Sequence, residues 1–276
     1  MAESRLELVD GHLIADAGGR FLLDTGSPVS FTTTGRANWG GRDHDLPTSA
    51  LGLDAAELSH LVGEPLDGLI GGDLLGIHPF TIDLERSVYR VDEAGPDRGT
   101  TGLPIRLVLG VPLATLELDG APTQTCIDTG AKLSYLEASR LDGREAVDET
   151  DDFYPGYGTF RTPVYDIALR IADSELTMRA GSLPEALSGM LGMLDITAIL
   201  GTGLFVHFPV VTFDYPAGRL MLGHVRRRHL LHSAPAASLG FASRTRTTRP
   251  IRRQCVPLGS NGRSSSPWRW AATARA

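Results

Sequence analysis

Two apolar runs in this chain end in the same short polar turn. The first run, at residues 21–23, leads into Asp-Thr-Gly at 24–26, and the second, at 125–127, leads into Asp-Thr-Gly at 128–130. A short apolar run closed by Asp, Thr and Gly is typical of a buried strand that ends in a tight turn. Each turn is therefore predicted to hold one carboxylate at the end of a buried strand.

The repeat extends to both sides of these turns. Each is preceded by a strand pair around Asp-Gly, at 10–11 and 119–120, which is typical of a two-residue hairpin. Downstream, each half has an apolar run that ends in glycine, at Gly71 and Gly201, then a short helix or turn, and then a closing hairpin. Because the elements follow in the same order twice, the sequence predicts a duplicated, all-β protein with two pseudo-symmetric lobes and short helices.

The boundaries of these lobes follow from composition. The segment 93–102 is rich in Gly, Pro, Asp and Thr and is predicted to be a linker. The N-terminal lobe is then 1–92, and the C-terminal lobe is 103–224. From 225 to 276 the chain mixes Arg, Ser, Ala and Pro without periodicity, so we expect a basic, disordered tail.

The middles of the two halves differ. The second half carries a glycine-punctuated aromatic stretch at 153–160, followed by an alternating strand at 164–171. This pattern predicts a long hairpin with an aromatic, mobile tip that includes Tyr154 and Tyr157. At the same place the first half has only a polar loop and a helical pattern at 55–62.

Charge and cysteine content change the picture little. Arginines number eleven from residue 226 onward, without Asp or Glu, so the net charge of −7 leaves −18 on the rest of the chain. The two cysteines form no disulfide framework, which fits a reducing compartment. Neither a signal peptide nor a membrane-spanning run is visible, so we expect a cytoplasmic protein that does not bind membranes.

The duplicated aspartates suggest a specific chemistry. If Asp24 and Asp128 meet across an axis between the halves, the two carboxyl groups cannot both ionise easily. Such a pair shares one proton and can act as acid and base at once.

On both Asp-Thr-Gly motifs and both apolar-apolar-Gly motifs, the chain resembles the aspartic peptidases of the pepsin and retropepsin type. It looks like their single-chain, bilobal form with unusually short lobes, over about residues 5 to 223. The resemblance implies two acid-protease-type β-barrel lobes and hydrolysis of peptide bonds by a water activated between Asp24 and Asp128. It implies no cofactor, no metal and no partner chain, because one monomer supplies both aspartates.

The resemblance also implies supporting roles. Thr25 and Thr129 would hold the two loops together, and Tyr154 and Tyr157 would contact peptide from a flap, although both could equally pack on their own lobe. The remaining residues of the active-site loops are Gly26, Ser27, Gly130, Ala131, Gly71 and Gly201.

The residue at the fourth position of each motif suggests which aspartate of the pair is ionised. The Ser27 hydroxyl can donate a hydrogen bond to a carboxylate, whereas Ala131 cannot, and a hydrogen bond to the charged form favours that form. The sequence thus suggests that Asp24 is the more readily ionised and that Asp128 carries the proton.

Two other readings stay open. The same fold could be a peptide-binding or protein-binding module whose acid pair is vestigial. The arginine-rich tail could bind nucleic acid, but a solvated extension accounts for its composition as well, and nucleic acid is not the expected partner. The expected partner is a peptide or protein substrate.

Overall fold

The chain folds mainly into β-strands. The computed structural model describes residues 2–91, 101–155, 157–171 and 174–223. Up to residue 91 the elements are, in chain order, β1 (Ala2–Val9), β2 (His12–Asp16), β3 (Arg20–Leu23), β4 (Phe31–Thr32), β5 (Arg36–Trp39), β6 (Arg42–Asp45), β7 (Ser49–Ala50), β8 (Leu53–Asp54), α1 (Ala55–Val62), β9 (Gly68–Ile70), α2 (Gly72–Leu75), β10 (Phe80–Asp83) and β11 (Val88–Val91).

The second part of the chain repeats this alternation of strands and short helices. Its elements are β12 (Thr101–Pro104), β13 (Arg106–Val108), β14 (Val111–Leu118), β15 (Ala121–Ile127), β16 (Ser134–Glu137), a 3₁₀ turn (Ala138–Arg140), β17 (Asp148–Tyr154), β18 (Gly158–Ile171), β19 (Ser174–Leu183), α3 (Glu185–Gly192), β20 (Ala198–Leu200), α4 (Leu204–His207), β21 (Val210–Asp214) and β22 (Arg219–Leu222).

Most of the described strands belong to two large sheets. The ten-stranded sheet has the order β12-β22-β21-β10-β11-β1-β2-β3-β9-β4, and the eight-stranded sheet has the order β13-β14-β15-β20-β16-β19-β18-β17. In the first, β3 lies parallel to β9, which pairs antiparallel with β4. In the second, β15 lies parallel to β20, which pairs antiparallel with β16. The strands that end in Asp-Thr-Gly thus have equivalent neighbours.

Tight hairpins bring each of these strands into place. Asp10 and Gly11 connect β1 to β2, and Asp119 and Gly120 connect β14 to β15, all four with positive φ between 47° and 84°. Positive φ at both central residues is the conformation of the two-residue turn that matches the twist of antiparallel strands. Both predicted hairpins are confirmed.

One short helix in each half buries an apolar face. Asp54 begins α1, because its side chain accepts a hydrogen bond from the Glu57 N–H at 2.9 Å. The face of α1 that carries Leu58 and Val62 is buried, and the helix covers the predicted range 55–62. In the second half α3 buries Leu187 in the same way before β20 begins.

The core crosses from one half to the other where β10 pairs with β21. Phe80 and Phe213 lie opposite each other there, fully buried, with stacked rings 4.9 Å apart. Thr81 and Thr212, the next pair along, are also buried, and their hydroxyl groups are 2.7 Å apart.

The all-β class predicted from the sequence is confirmed, while the division into two barrel lobes stays a prediction. β12 begins at Thr101, inside the segment interpreted as a linker, and pairs with β22. Residues 92–100 and the predicted tail, 225–276, lie outside the described residues. Within the ranges that are described, no helix has the length and apolar character needed to cross a membrane.

The buried hydroxyl pair in the β10–β21 seam gives a test of the fold. Thr212→Val leaves the Thr81 hydroxyl without a partner, so the free energy of unfolding should fall by about 1–3 kcal/mol. In the double variant Thr81→Val/Thr212→Val both hydroxyls are gone, and part of the loss should be recovered. Urea unfolding measures both values. The single variant Thr81→Val completes the comparison, and a double variant as destabilised as the sum of the two single variants would contradict the hydrogen bond between these hydroxyls.

Candidate active site

The two Asp-Thr-Gly turns meet, and their threonines bind each other reciprocally. The N–H of Thr25 donates to Oγ1 of Thr129 at 3.0 Å, and the N–H of Thr129 donates to Oγ1 of Thr25 at 2.9 Å. Each hydroxyl in turn donates across the interface at 2.7 Å, from Thr25 to the carbonyl of Ile127 and from Thr129 to that of Leu23. Both threonines are buried, so these bonds fix the distance between the turns.

The carboxyl groups of Asp24 and Asp128 face each other across this contact and lie within hydrogen-bonding reach. Each also lies directly against the glycine of the other turn. A Cβ atom on Gly26 would be 2.4 Å from Cγ of Asp128, and one on Gly130 would be 2.4 Å from Cγ of Asp24. Only glycine permits this approach, so the third position of both motifs is explained by the carboxylate opposite.

Backbone groups hold the two carboxylates in the same manner. Oδ1 of Asp24 accepts N–H bonds at 2.8 and 3.0 Å from the second and third residues that follow it. Oδ1 of Asp128 accepts the equivalent pair at 2.9 and 3.2 Å. The two loops therefore treat their aspartates alike.

The suggested role of the Ser27 hydroxyl is wrong. Its Oγ donates to the carbonyl of Val29 at 2.9 Å instead of to the Asp24 carboxylate. Only the backbone N–H of Ser27 binds Asp24, and Ala131 supplies the same N–H to Asp128. The difference between serine and alanine thus gives no reason to assign the proton to one aspartate.

Burial raises the pKa of both aspartates. The pKa of Asp24 lies well above its ordinary value of 3.8, because of burial first and then the charge of Asp128 and the hydrogen bond between the two carboxyls. The pKa of Asp128 is also raised by burial, against the effect of its N–H donors, and the charge of Asp152 adds to the rise. The pair therefore holds one proton to a higher pH than an isolated aspartate would.

The two apolar-Gly strands support these loops from below. The N–H of Gly71 donates to Oγ of Ser30 at 2.8 Å, and the N–H of Gly201 donates to Oγ of Ser134 at 3.0 Å. At either glycine a Cβ would lie 2.5 Å from a carbonyl oxygen of the neighbouring loop. Ser30 and Ser134 were not found from the sequence, although each lies six residues after its aspartate.

A hairpin made of β17 and β18, here called the flap, lies over the aspartate pair. Tyr154 and Pro155 at its tip line the two cavities that contain both aspartates. Tyr157 lines neither cavity. It is 45% exposed and packs edge-on against Phe160, with ring centroids 5.9 Å apart. The structure thus brings one of the two candidate flap tyrosines to the site.

Two cavities of unequal size contain both aspartates, and the flap tip lines each of them. The His12 cavity, of about 60 Å³, is lined mainly by apolar side chains of β3, β9, α1, α3 and β20, together with His12, Tyr135 and Asp152. The Leu51 cavity, of about 270 Å³, is lined by the loop 26–29 and by the β7–β8 hairpin, whose tip residue Leu51 is 62% exposed. Both cavities are predominantly apolar.

Several residues around the His12 cavity were missed by sequence reasoning. His12, Tyr135 and Asp152 are 2%, 4% and 7% exposed and come from three different strands. One signal was present in the sequence: Lys132, the only lysine of the chain, directly follows the second motif. Its ammonium group lies 3.9 Å from Oδ1 of Asp152.

The described ranges contain no cluster of three or more His, Cys, Asp or Glu side chains that could hold a metal ion.

No protein-family model and no curated protein matches the chain. Among solved structures, 156 chains match. One of them is a retropepsin-like aspartic protease from Rickettsia conorii, to which the chain is similar with a TM-score of 0.34 and 18% sequence identity. The match covers 46% of this chain and 91% of that one.

The raised pKa of the aspartates gives a test that needs no substrate. Above pH 3.8 the folded protein retains a proton that the unfolded chain releases, so the free energy of unfolding falls as the pH rises toward the raised pKa. Asp24→Asn removes one of the coupled carboxyls and should make this fall smaller. Denaturant unfolding at several pH values measures it. The exposed Asp142→Asn is the control, and equal slopes in both variants would contradict the raised pKa.

Proposed function

We propose that this chain is an aspartic-type endopeptidase that binds an extended peptide between the aspartate pair and the flap. One observation carries the proposal: two partly buried carboxyl groups face each other within hydrogen-bonding reach at the floor of a cleft. Burying two carboxylates against each other is costly, and a purely structural site has no need of it.

The proposal includes a pseudo-twofold relation between an N-terminal lobe, 1–92, and a C-terminal lobe, 103–224. The reciprocal bonds of Thr25 and Thr129 and the equivalent neighbours of β3 and β15 support that relation. Each lobe then supplies one aspartate, so a monomer is sufficient for the reaction.

The proposed reaction uses the single proton that the pair holds. The ionised carboxyl accepts a proton from a water molecule, and the water oxygen attacks the peptide carbonyl carbon. The protonated carboxyl donates its proton to the carbonyl oxygen, which gives a tetrahedral diol. When the C–N bond breaks, the first carboxyl protonates the leaving nitrogen and the second takes a proton from the diol, so both recover their starting state.

The cleft suits a peptide with apolar side chains. Leu22, Leu58 and Ile199 line the His12 cavity, and Val29, Phe31 and Leu53 line the Leu51 cavity. Burial of an apolar side chain contributes about 1.5–3 kcal/mol, so the two cavities would select the residues beside the cleaved bond. A cytoplasmic location and independence from cofactors and nucleic acid belong to the same proposal.

Replacing either aspartate should abolish cleavage. Asp24→Asn and Asp128→Asn each remove a group that must change its protonation, so kcat should fall by at least about 100-fold. Cleavage of a peptide library between pH 4 and 7 measures it. Ser27→Ala is the matched control: since its hydroxyl binds Val29, the pH profile should stay unchanged.

Wild type and aspartate variants that bind the same peptides without cutting any would contradict the proposal and favour a peptide-binding module. Removal of residues 225–276 tests separately whether the basic tail takes part in cleavage. Cleavage that survives this removal does not depend on the tail.

The flap tyrosines provide a matched pair. Tyr154→Ala removes an aromatic ring that lines both cavities beside the aspartates and should lower kcat/KM about tenfold or more, equivalent to about 1.4 kcal/mol. Tyr157→Ala removes an exposed ring outside both cavities and should change kcat/KM less than twofold. Steady-state kinetics on one library peptide compare them. Equal losses in both variants would exclude the specific role of Tyr154.

A further inference from the structure

A third buried carboxylate lies beside the aspartate pair. Asp152 is on β17 of the flap, two residues before Tyr154, and its side chain is only 5% exposed. Tyr135, on the strand that follows the Asp128 loop, donates its hydroxyl proton to Oδ2 of Asp152. Oδ1 of Asp152 accepts the backbone N–H of Phe153 at 2.9 Å. A buried carboxylate with these partners holds the flap strand to the strand below it.

Lys132 strengthens the same contact. Its Nζ donates to the carbonyl oxygen of Asp151 at 3.0 Å and lies 3.9 Å from the Asp152 carboxylate. Because Lys132 is four residues after Asp128, this side chain ties the flap directly to the loop that carries an aspartate of the pair. A carboxylate and an ammonium group that are both largely withdrawn from water attract each other more strongly than an exposed pair.

The first half of the chain completes the arrangement through His12. Its Nδ1 lies 3.1 Å from the carbonyl oxygen of Gly130, so Nδ1 carries the proton and donates. Its ring packs against Phe153, with centroids 6.1 Å apart. Burial lowers the pKa of His12, which favours the neutral imidazole. The flap strand is therefore held between His12 and the elements that follow Asp128.

We propose that Asp152 is a positioning residue that anchors the flap over the aspartate pair and that its charge helps the pair to retain its proton. The geometry carries the first part, because Tyr135 and Lys132, which both lie outside the flap, converge on this one carboxylate. Asp152 lines the His12 cavity together with both aspartates, and its charge raises the pKa of Asp128; these two observations support the second part. The proposal rests on the proposed peptidase function of the same site.

The charged and titratable groups that face Asp152 set the sign of its effect. They are Lys132 and Tyr135 at hydrogen-bonding or ion-pair distance, and His12 and Asp128 further away. The lowered pKa of His12 favours its neutral form, so the charges of this contact are those of Asp152 and Lys132. Neutralising Asp152 removes a negative charge and leaves Lys132 uncompensated, and both changes lower the pKa of the aspartate pair.

Two variants separate anchoring from charge. Asp152→Asn removes the charge and weakens the contacts with Tyr135 and Lys132, so the flap is held less firmly and both limbs of the pH profile of kcat should move to lower pH. Tyr135→Phe keeps the charge but loses a hydrogen bond to it, so KM should rise about tenfold without a shift of the profile. The matched control is Asp151→Asn, on the exposed side of the same strand, which should change neither quantity.

Hydrogen exchange provides a readout that is independent of cleavage. In both Asp152→Asn and Tyr135→Phe, amides of the segment 148–160 should exchange faster than in the wild type, because the flap opens more often. In Asp151→Asn the exchange should be unchanged. A wild type that cuts no peptide would overturn the peptidase proposal but leave this test of the anchor intact.

The anchoring proposal is overturned if the flap amides of Asp152→Asn and Tyr135→Phe exchange at the wild-type rate. The charge proposal is overturned if the anchor variants behave as expected in exchange but Asp152→Asn leaves the pH profile in place. An Asp152→Asn protein that does not fold would leave Tyr135→Phe to decide the anchor and a Lys132→Met variant to decide the charge. Lys132→Met removes the compensating cation and should move the pH profile upward.

Discussion

The structure depends on the reciprocal hydrogen bonds between Thr25 and Thr129. Each hydroxyl accepts an N–H from the opposite turn and donates to a carbonyl of the opposite strand, so four buried backbone groups are satisfied by two side chains. Without these hydroxyls the same groups would be buried without partners, which is costly. This contact sets the separation of the two turns, and the close carboxyl groups and the two glycines beside them follow from it.

The elements that surround the cleft differ between the two halves far more than the Asp-Thr-Gly turns do. The second half builds the flap from β17 and the fourteen-residue strand β18, whereas the first half provides only the two-residue strands β7 and β8. The exposed Leu51 at the tip of that small hairpin borders the larger cavity, of about 270 Å³, while the His12 cavity measures about 60 Å³. An almost symmetric pair of aspartates thus faces two different environments, which would give a bound peptide a preferred direction.

Local patterns predicted the floor well because its determinants are short-range. Asp-Gly turns, apolar strands and the helix at 55–62 each depend on a few neighbouring residues, and all were found where the sequence indicated them. The predicted hydrogen bond from the Ser27 hydroxyl to Asp24 was wrong, because the carbonyl of Val29, two residues further along the chain, accepts that bond instead. Asp152 and its partner Tyr135 come together only because β16 pairs with β19, β19 with β18, and β18 with β17. No local sequence pattern specifies these pairings.

The electrostatics of the site connect its cover to its chemistry. The site contains two carboxyl groups at its floor and a third in the flap, and one ammonium group, that of Lys132, lies nearby. The part of the chain before residue 226 also carries a strong negative charge. Such surroundings favour retention of a proton. Asp152 lies on the flap, where it binds the Tyr135 hydroxyl, and its charge also raises the pKa of Asp128. One side chain thus connects the strand that borders the cleft to the acid–base chemistry at its floor.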